Sequence, residues 1–152
     1  MTNTINQEDI HFELQKLLDF EEVANYLCSL CIKLIGADGC AINTWSPDSQ
    51  TLKISAIKLP KQFKDIEATY HDYRINCDED DPNISVFNSR KAESFSDLSQ
   101  LSSHSTTYSR FERWQLKHLI IAPLTDGTDC AGTIMLMHSS PPKACIDEVA
   151  LD

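Results

Sequence analysis

The sequence is short of glycine, of positive charge and of long apolar runs. Its four glycines stand apart at positions 36, 39, 127 and 132. From them neither a GxxxxGK[ST] phosphate loop nor a GxGxxG dinucleotide turn can be assembled, so nucleotide hydrolysis by those routes is excluded. Thirteen Lys+Arg face twenty-three Asp+Glu, a formal charge of −10. A field of that sign repels phosphodiester backbones and anionic lipid, so neither nucleic acid nor a membrane surface is an expected partner. No window approaches the ~20 apolar residues that a bilayer span needs. The N-terminal MTNTINQEDIHFE has neither the basic nor the apolar region of a signal peptide. The expected location is the cytoplasm, where six cysteines are read as free thiols rather than a disulfide framework.

What is there suits a single domain over residues 1–152, with 41% hydrophobic residues and enough chain to bury a core without staples. Ile10, Leu14, Leu17 and Leu18 share one helical face. Asp19 then offers an N-cap with Glu22 three positions on. Behind it Phe20, Val23, Ala24, Leu27, Cys28, Cys31, Leu34 and Ile35 recur at three- and four-residue steps, predicting a long amphipathic helix closed by Gly36.

The period then changes. CAINTWS (40–46) and TLKISAIK (51–58) flank the turn residues 47–50 and predict a hairpin. In the second run Leu52, Ile54 and Ala56 alternate with Thr51, Lys53 and Ser55, as in an edge strand with one wet face. A second hairpin is predicted from His118–Leu124 and Cys130–Met137 around Asp126-Gly127. Neither of these runs alternates, so both faces must be covered. One consequence is specific: Met135 and Met137 should be buried on one sheet face, and Ile134 and Leu136 on the other.

Between the hairpins the pattern is irregular. Pro60 opens a helix to about Tyr70, and CDEDDPN (77–83) is a turn in which Pro82 starts a short helix. An extended piece follows at Ala92–Asp97. LSQLSSHSTTYS (98–109) is Ser/Thr-rich and is read as mobile. Tyr108, Phe111 and Trp114 suggest a helix leading into the second hairpin, and PPKACIDEVALD (141–152) a turn and a helix start. Mostly antiparallel strands bracketed by helices make an α+β domain. Long helices cover one sheet face, and short helices and loops roof the other, an arrangement that suits a cavity.

In series these features resemble the GAF domain family, over roughly Asp9–Ser140. LIGADGCAINTW (34–45) resembles its helix-to-first-strand junction, and DDPNISVFNSRKAESFSDLS (80–99) the passage past its pocket to an edge strand and an aspartate. LKHLIIAPLTDGTDCAGTIMLM (116–137) resembles its closing hairpin, with Pro123-Leu124 before the turn and Gly132 after it. The resemblance implies a PAS-related central antiparallel sheet. It also implies a sensory and dimerising role, not a catalytic one, in a bacterial signalling protein. The expected output is a fused histidine kinase or cyclic-di-GMP enzyme, absent from this chain together with the family's C-terminal helix. A homodimer through the helices at 7–35 is expected, because that missing helix leaves part of their apolar stripe uncovered.

Cys28-x-x-Cys31 lies on an apolar helix stripe with no second such pair, which favours core thiols. Some GAF domains reduce free methionine sulfoxide through pocket cysteines, and Cys77 is the candidate for that alternative. Beside Asp78, Glu79, Asp80 and Asp81 its thiolate is disfavoured, and the subfamily's glycine-flanked cysteine motif is missing. The acidic run lacks the spacing and glycine of a calcium loop and is read as a solvated turn capping the Pro82 helix. The histidines at 11, 71, 104, 118 and 138 have no partner at metal-ligand spacing on one element, although His118 and His138 face each other if the hairpin register allows. No Cys-His pair for a bilin occurs, nor the full cyclic-nucleotide motif, of which Phe95 and Asp97 alone are present; haem or iron stays open. No cofactor is named. What remains is a small-molecule pocket. Its candidates are Tyr73, Phe87, Phe95, Tyr108, Phe111 and Trp114 in the roof, Met135 and Met137 on the last strand, and Arg74 and Arg110 as counter-charges for an anionic ligand. A ligand-free dimerisation module, with these aromatics as a second core, stands beside it.

Overall fold

The computed structural model describes residues 20–71, 73–101 and 104–140. In chain order these form α1 (Phe20–Ile35), β1 (Gly39–Ser46), β2 (Thr51–Lys58), a 3-10 segment (Lys61–Tyr70), β3 (Arg74–Asn76) and α2 (Pro82–Ser89). Then come β4 (Glu93–Phe95), a 3-10 turn (Leu98–Gln100), α3 (Thr106–Arg113), β5 (His118–Thr125) and β6 (Cys130–His138). The six strands make one antiparallel sheet in the order β3-β2-β1-β6-β5-β4. The sequence features at 9–19 and 141–152 lie outside the described residues.

The sheet has no wet face at its centre, which is why its strands do not alternate. Successive side chains of a strand point to opposite faces. From β1 and β6, Cys40, Ile42 and Leu136 enter a cluster with Ala24 and Cys28 of α1, against which Ile134 packs. Ala41, Met135 and Met137 enter a second cluster with Phe111, Trp114, Val86 and Tyr70 from the other side. The methionines and their neighbours Ile134 and Leu136 therefore divide between the faces as predicted, although Ile134 is only partly buried. The layers are α1, the sheet, and a roof made of the 61–70 segment, α2 and α3.

Three expectations change. First, β2 is an inner strand, because β3 pairs with Thr51–Lys53 on its outer side. Its polar residues are covered too: Thr51 and Ser55 are buried, with Ser55 Oγ bonded to Thr44 Oγ1 and Thr51 Oγ1 to Ser49 Oγ. Second, the apolar residues of α1 form two stripes. Ala24 and Cys28 are buried, with Cys31, Ile32 and Ile35 packed beside them. Val23, Tyr26, Leu27 and Leu34 are exposed, Leu34 by 73%; at ~100° per residue they lie on an adjoining face of the helix. Third, within 98–109 the 3-10 turn and the start of α3 are ordered elements. Ser105 caps α3 by accepting from the Tyr108 N–H at 3.0 Å. The helix expected after Pro60 is present and is of the 3-10 type.

Candidate functional site

The roof is tied to the sheet by buried polar side chains. Asp81 is the N-cap of α2: its Oδ1 accepts from the Asn83 N–H at 2.9 Å and from Asn83 Nδ2 at 3.1 Å. Its Oδ2 accepts from Thr107 Oγ1 at 2.7 Å and from the Thr107 N–H at 3.2 Å, which joins α2 to α3. Asn83 Oδ1 in turn accepts from Asn43 Nδ2 of β1 at 3.2 Å and from Thr133 Oγ1 of β6 at 3.0 Å. All five residues are buried. Asp81 was expected to cap this helix, and it does. It was not expected to be buried: Asp78 and Asp80 face solvent, while Asp81 turns inward.

Next to this network the roof closes over the sheet. Ala41, Ile54, Ile57, Met135 and Met137 from the sheet meet Thr107, Arg110, Phe111 and Trp114 from α3 and its C-terminal end. They leave only interstitial gaps between them, in which no water-sized sphere fits. Trp114 is 2% exposed and its Nε1 has no hydrogen-bond partner among the described residues. A buried donor left unpaired costs about 1–3 kcal/mol, so this wall carries an unmet demand for an acceptor.

Arg110 is the charged member of the wall. Its guanidinium is buried, sits 4.7 Å from the centroid of the Tyr73 ring, and donates from Nη2 to Thr107 Oγ1 at 3.5 Å. Burial draws its pKa below the ordinary arginine value, and the negative charge of Asp81 opposes that shift. Arg110 also forms part of the lining of an open cleft of about 260 Å³, with Tyr70, Tyr73, His104, Ser105, Ser109 and Arg113.

Of the sequence-predicted site residues, Arg110, Phe111, Trp114, Met135 and Met137 converge on the interior space. Tyr73, Phe95 and Tyr108 pack at the margin of the same cluster. Phe87 stacks on Trp45, ring centroids 4.6 Å apart, in a separate small cluster with Leu52, Ile75 and Ile84. Arg74 is exposed on β3 and donates to Ser49 Oγ and Thr51 Oγ1, so it does not face the interior space. Sequence reasoning missed Asn43, Asp81, Asn83, Thr107 and Thr133. Asn43 and Thr133 had a signal, being polar residues inside otherwise apolar strand runs.

Cys28 is a core residue with Cys31 packed beside it, as their place on the apolar stripe implied. Cys28 and Cys40 are buried between α1 and β1. The Cys40 thiol is pushed well above its ordinary pKa, first by its hydrogen bond with Cys28 and then by burial, and burial raises Cys31 as well. Cys77 is exposed, donates to Gln50 Oε1 at 3.8 Å, and is not part of the interior wall. Among the described residues no group of three His, Cys, Asp or Glu is placed to hold a metal ion, and no helix is long and apolar enough to cross a membrane.

His118 and His138 do face each other across the β5–β6 pair. His138 is buried, and its pKa is lowered by burial and then by His118, with Asp38 acting against both. Between its lowered folded value and the ordinary ~6.5, the unfolded chain binds the extra proton. Stability attributable to this residue is therefore present above about pH 6.5 and is lost as pH falls through that window. Thermal unfolding scanned from about pH 8 to about pH 5 should show a shallower decline for His138→Gln than for the wild type. Parallel declines would remove His138 from the account.

The family profile described as GAF domain matches residues 19–151. No curated protein matches the chain. Among solved structures, a GAF domain/HD domain protein from Geobacter sulfurreducens aligns with a TM-score of 0.68 at 19% identity, over 91% of this chain and 88% of that one. The phycocyanobilin-bound GAF domain of a cyanobacterial phytochrome gives 0.63 at 15% identity, over 98% and 88% of the two chains. The second GAF domain of DevS from Mycobacterium smegmatis gives 0.61 at 16% identity, over 85% and 83%. At these identities the structural likeness concerns the fold. With the family profile covering most of the sequence, and with a helix-backed antiparallel sheet closed by a roof, the chain belongs to the GAF domain family of sensory and regulatory modules in signalling proteins.

Proposed function

We propose that this GAF domain is a sensor whose small-molecule ligand enters the space between the sheet and α3 and is held there through an acidic group. The observation that carries this reading is a wall that, apart from Thr107, is apolar and holds both a buried guanidinium, Arg110, and Trp114, whose Nε1 has no hydrogen-bond partner among the described residues. Two donors over an apolar floor suit a compact organic acid. The space is too narrow as it stands, so binding requires the roof to rise. A ligand that favours the raised roof shifts the domain between two arrangements by its difference in affinity for them.

The output, on this reading, is a fused cyclic-di-GMP enzyme or histidine kinase in a longer cytoplasmic protein. The signal leaves through α1, which backs the same sheet. The exposed stripe Val23, Tyr26, Leu27 and Leu34 supports a homodimer through this helix and the segment before it. The narrowness of the interior favours a second reading, in which the roof is a permanent core and the domain is a dimerising spacer. Cysteine-based sulfoxide reduction loses support, because Cys77 is not on the interior wall.

One sample separates the readings. In a Trp45→Phe background the remaining indole, Trp114, reports on the interior. At least one small organic acid should shift its emission and raise the melting temperature, by about 2.7 kcal/mol of stabilisation at a hundredfold excess over Kd. The response should vanish in Arg110→Met. If no compound moves either signal, the spacer reading replaces the sensor. Sedimentation of the same protein should give a dimer that Leu34→Glu dissociates.

A further inference from the structure

We propose that the open cleft between the 61–70 segment and α3 is a separate recognition site for a tetrahedral dianion, such as the phosphate of a small phosphomonoester. The chain carries a formal charge of −10, yet among the described residues no carboxylate lines this cleft, and two guanidiniums do. Arg110 and Arg113 are three residues apart on α3 and so project from one helix face. Arg110 is anchored by the Tyr73 ring and Thr107. Arg113 is not: it is exposed, and its one hydrogen bond among the described residues runs from Nη1 to Tyr70 Oη at 3.4 Å. A guanidinium has five donors, and the bond to Tyr70 uses only one of those on Arg113.

The remaining rim is chemically consistent. Ser105, Ser109 and Tyr70 bring hydroxyls and His104 an imidazole. A phosphate accepts several such bonds at once, and its charge at neutral pH is met first by Arg113, since Arg110 already lies in the field of Asp81. The contrast within the molecule is informative. The larger groove of about 320 Å³ along β2 places Lys58 and Glu67 together, so its charges are balanced. At about 260 Å³ the cleft suits a ligand smaller than drug-sized molecules, whose pockets run ~300–1,000 Å³.

Arg113 lines the cleft and not the interior space, which keeps this proposal separable from the sensor reading. Inorganic phosphate is the probe, titrated by calorimetry and by phosphorus NMR at low ionic strength. Saturable binding is expected in the wild type and in Lys33→Gln, an exposed change on α1. Arg113→Gln should weaken it about tenfold or more, the loss of one charge-assisted hydrogen bond. Ser109→Glu, which adds a carboxylate to the rim, should do the same. Succinate, a dianion without a tetrahedral centre, should bind more weakly than phosphate. Absence of saturable binding in the wild type, or undiminished binding in both Arg113→Gln and Ser109→Glu, overturns the proposal.

Discussion

Asp81→Ala is expected to lower the free energy of unfolding by about 3–5 kcal/mol, the range for removing one partner of a buried charge pair. Four donors converge on this carboxylate, from the backbone and side chains of Asn83 and Thr107. The substitution strips α2 of its cap, which alone costs ~1 kcal/mol. It also removes the negative charge that offsets burial of Arg110. Asp81→Asn keeps the shape and one acceptor while removing the charge, so it should fall between the wild type and alanine. Urea unfolding reads both variants. A loss under about 1 kcal/mol for alanine would mean that the carboxylate is no more than a helix cap. In that case the roof would be held by apolar packing alone.

Gly132→Ala should be comparably damaging, at about 3 kcal/mol or more, for steric reasons. Gly132 pairs with Thr44 on one side and Leu124 on the other, in the middle of the sheet. A Cβ built there lies 1.9 Å from the Asn43 carbonyl oxygen. That neighbour is backbone in a paired strand and cannot move without parting β1 from β6. The same shift would displace the Asn43 side chain, which donates to Asn83 and Thr133, so the roof would loosen together with the sheet. Gly127→Ala is the control: it meets nothing within 4 Å and carries only its own strain at φ +100°. If Gly132→Ala unfolds at the same denaturant concentration as Gly127→Ala, the close approach is not a constraint in solution.

The frame was legible where pattern and turn chemistry agreed. The helix ending at Gly36, the turn at 47–50, the helix begun by Pro82 and both strands of the closing hairpin stand within a residue or two of their expected positions. The edge assignment of β2 failed because alternation records polarity rather than exposure. Thr51 and Ser55 bury their hydroxyls by bonding them to Ser49 and Thr44. The stripe on α1 was expected to be partly uncovered, and it is, but which part was not legible. Steps of three and four residues also link neighbouring faces, and only the sheet decides which of them is covered.

For the candidate site, bulky residues near the closing hairpin were visible in sequence, since Phe111, Trp114, Met135 and Met137 have little else to do than pack. Of the polar network, only Asn43 and Thr133 left a signal. Asp81 sits in a run of acids that looks uniformly solvated, and its inward turn depends on Thr107, which lies in a segment that looked structureless. Contacts between residues that distant leave no local trace in the chain.

The strand order carries a last consequence, for the making of the protein. β1 joins β6 through partners roughly ninety residues apart, so the middle of the sheet cannot close until almost the whole domain exists. At ribosomal speeds of ~5–20 residues per second, β1 waits on the order of 5–20 s with one hydrogen-bonding edge bare. During that interval it is an open template for another chain. The N-terminal hairpin forms early, and the sheet's centre is completed last.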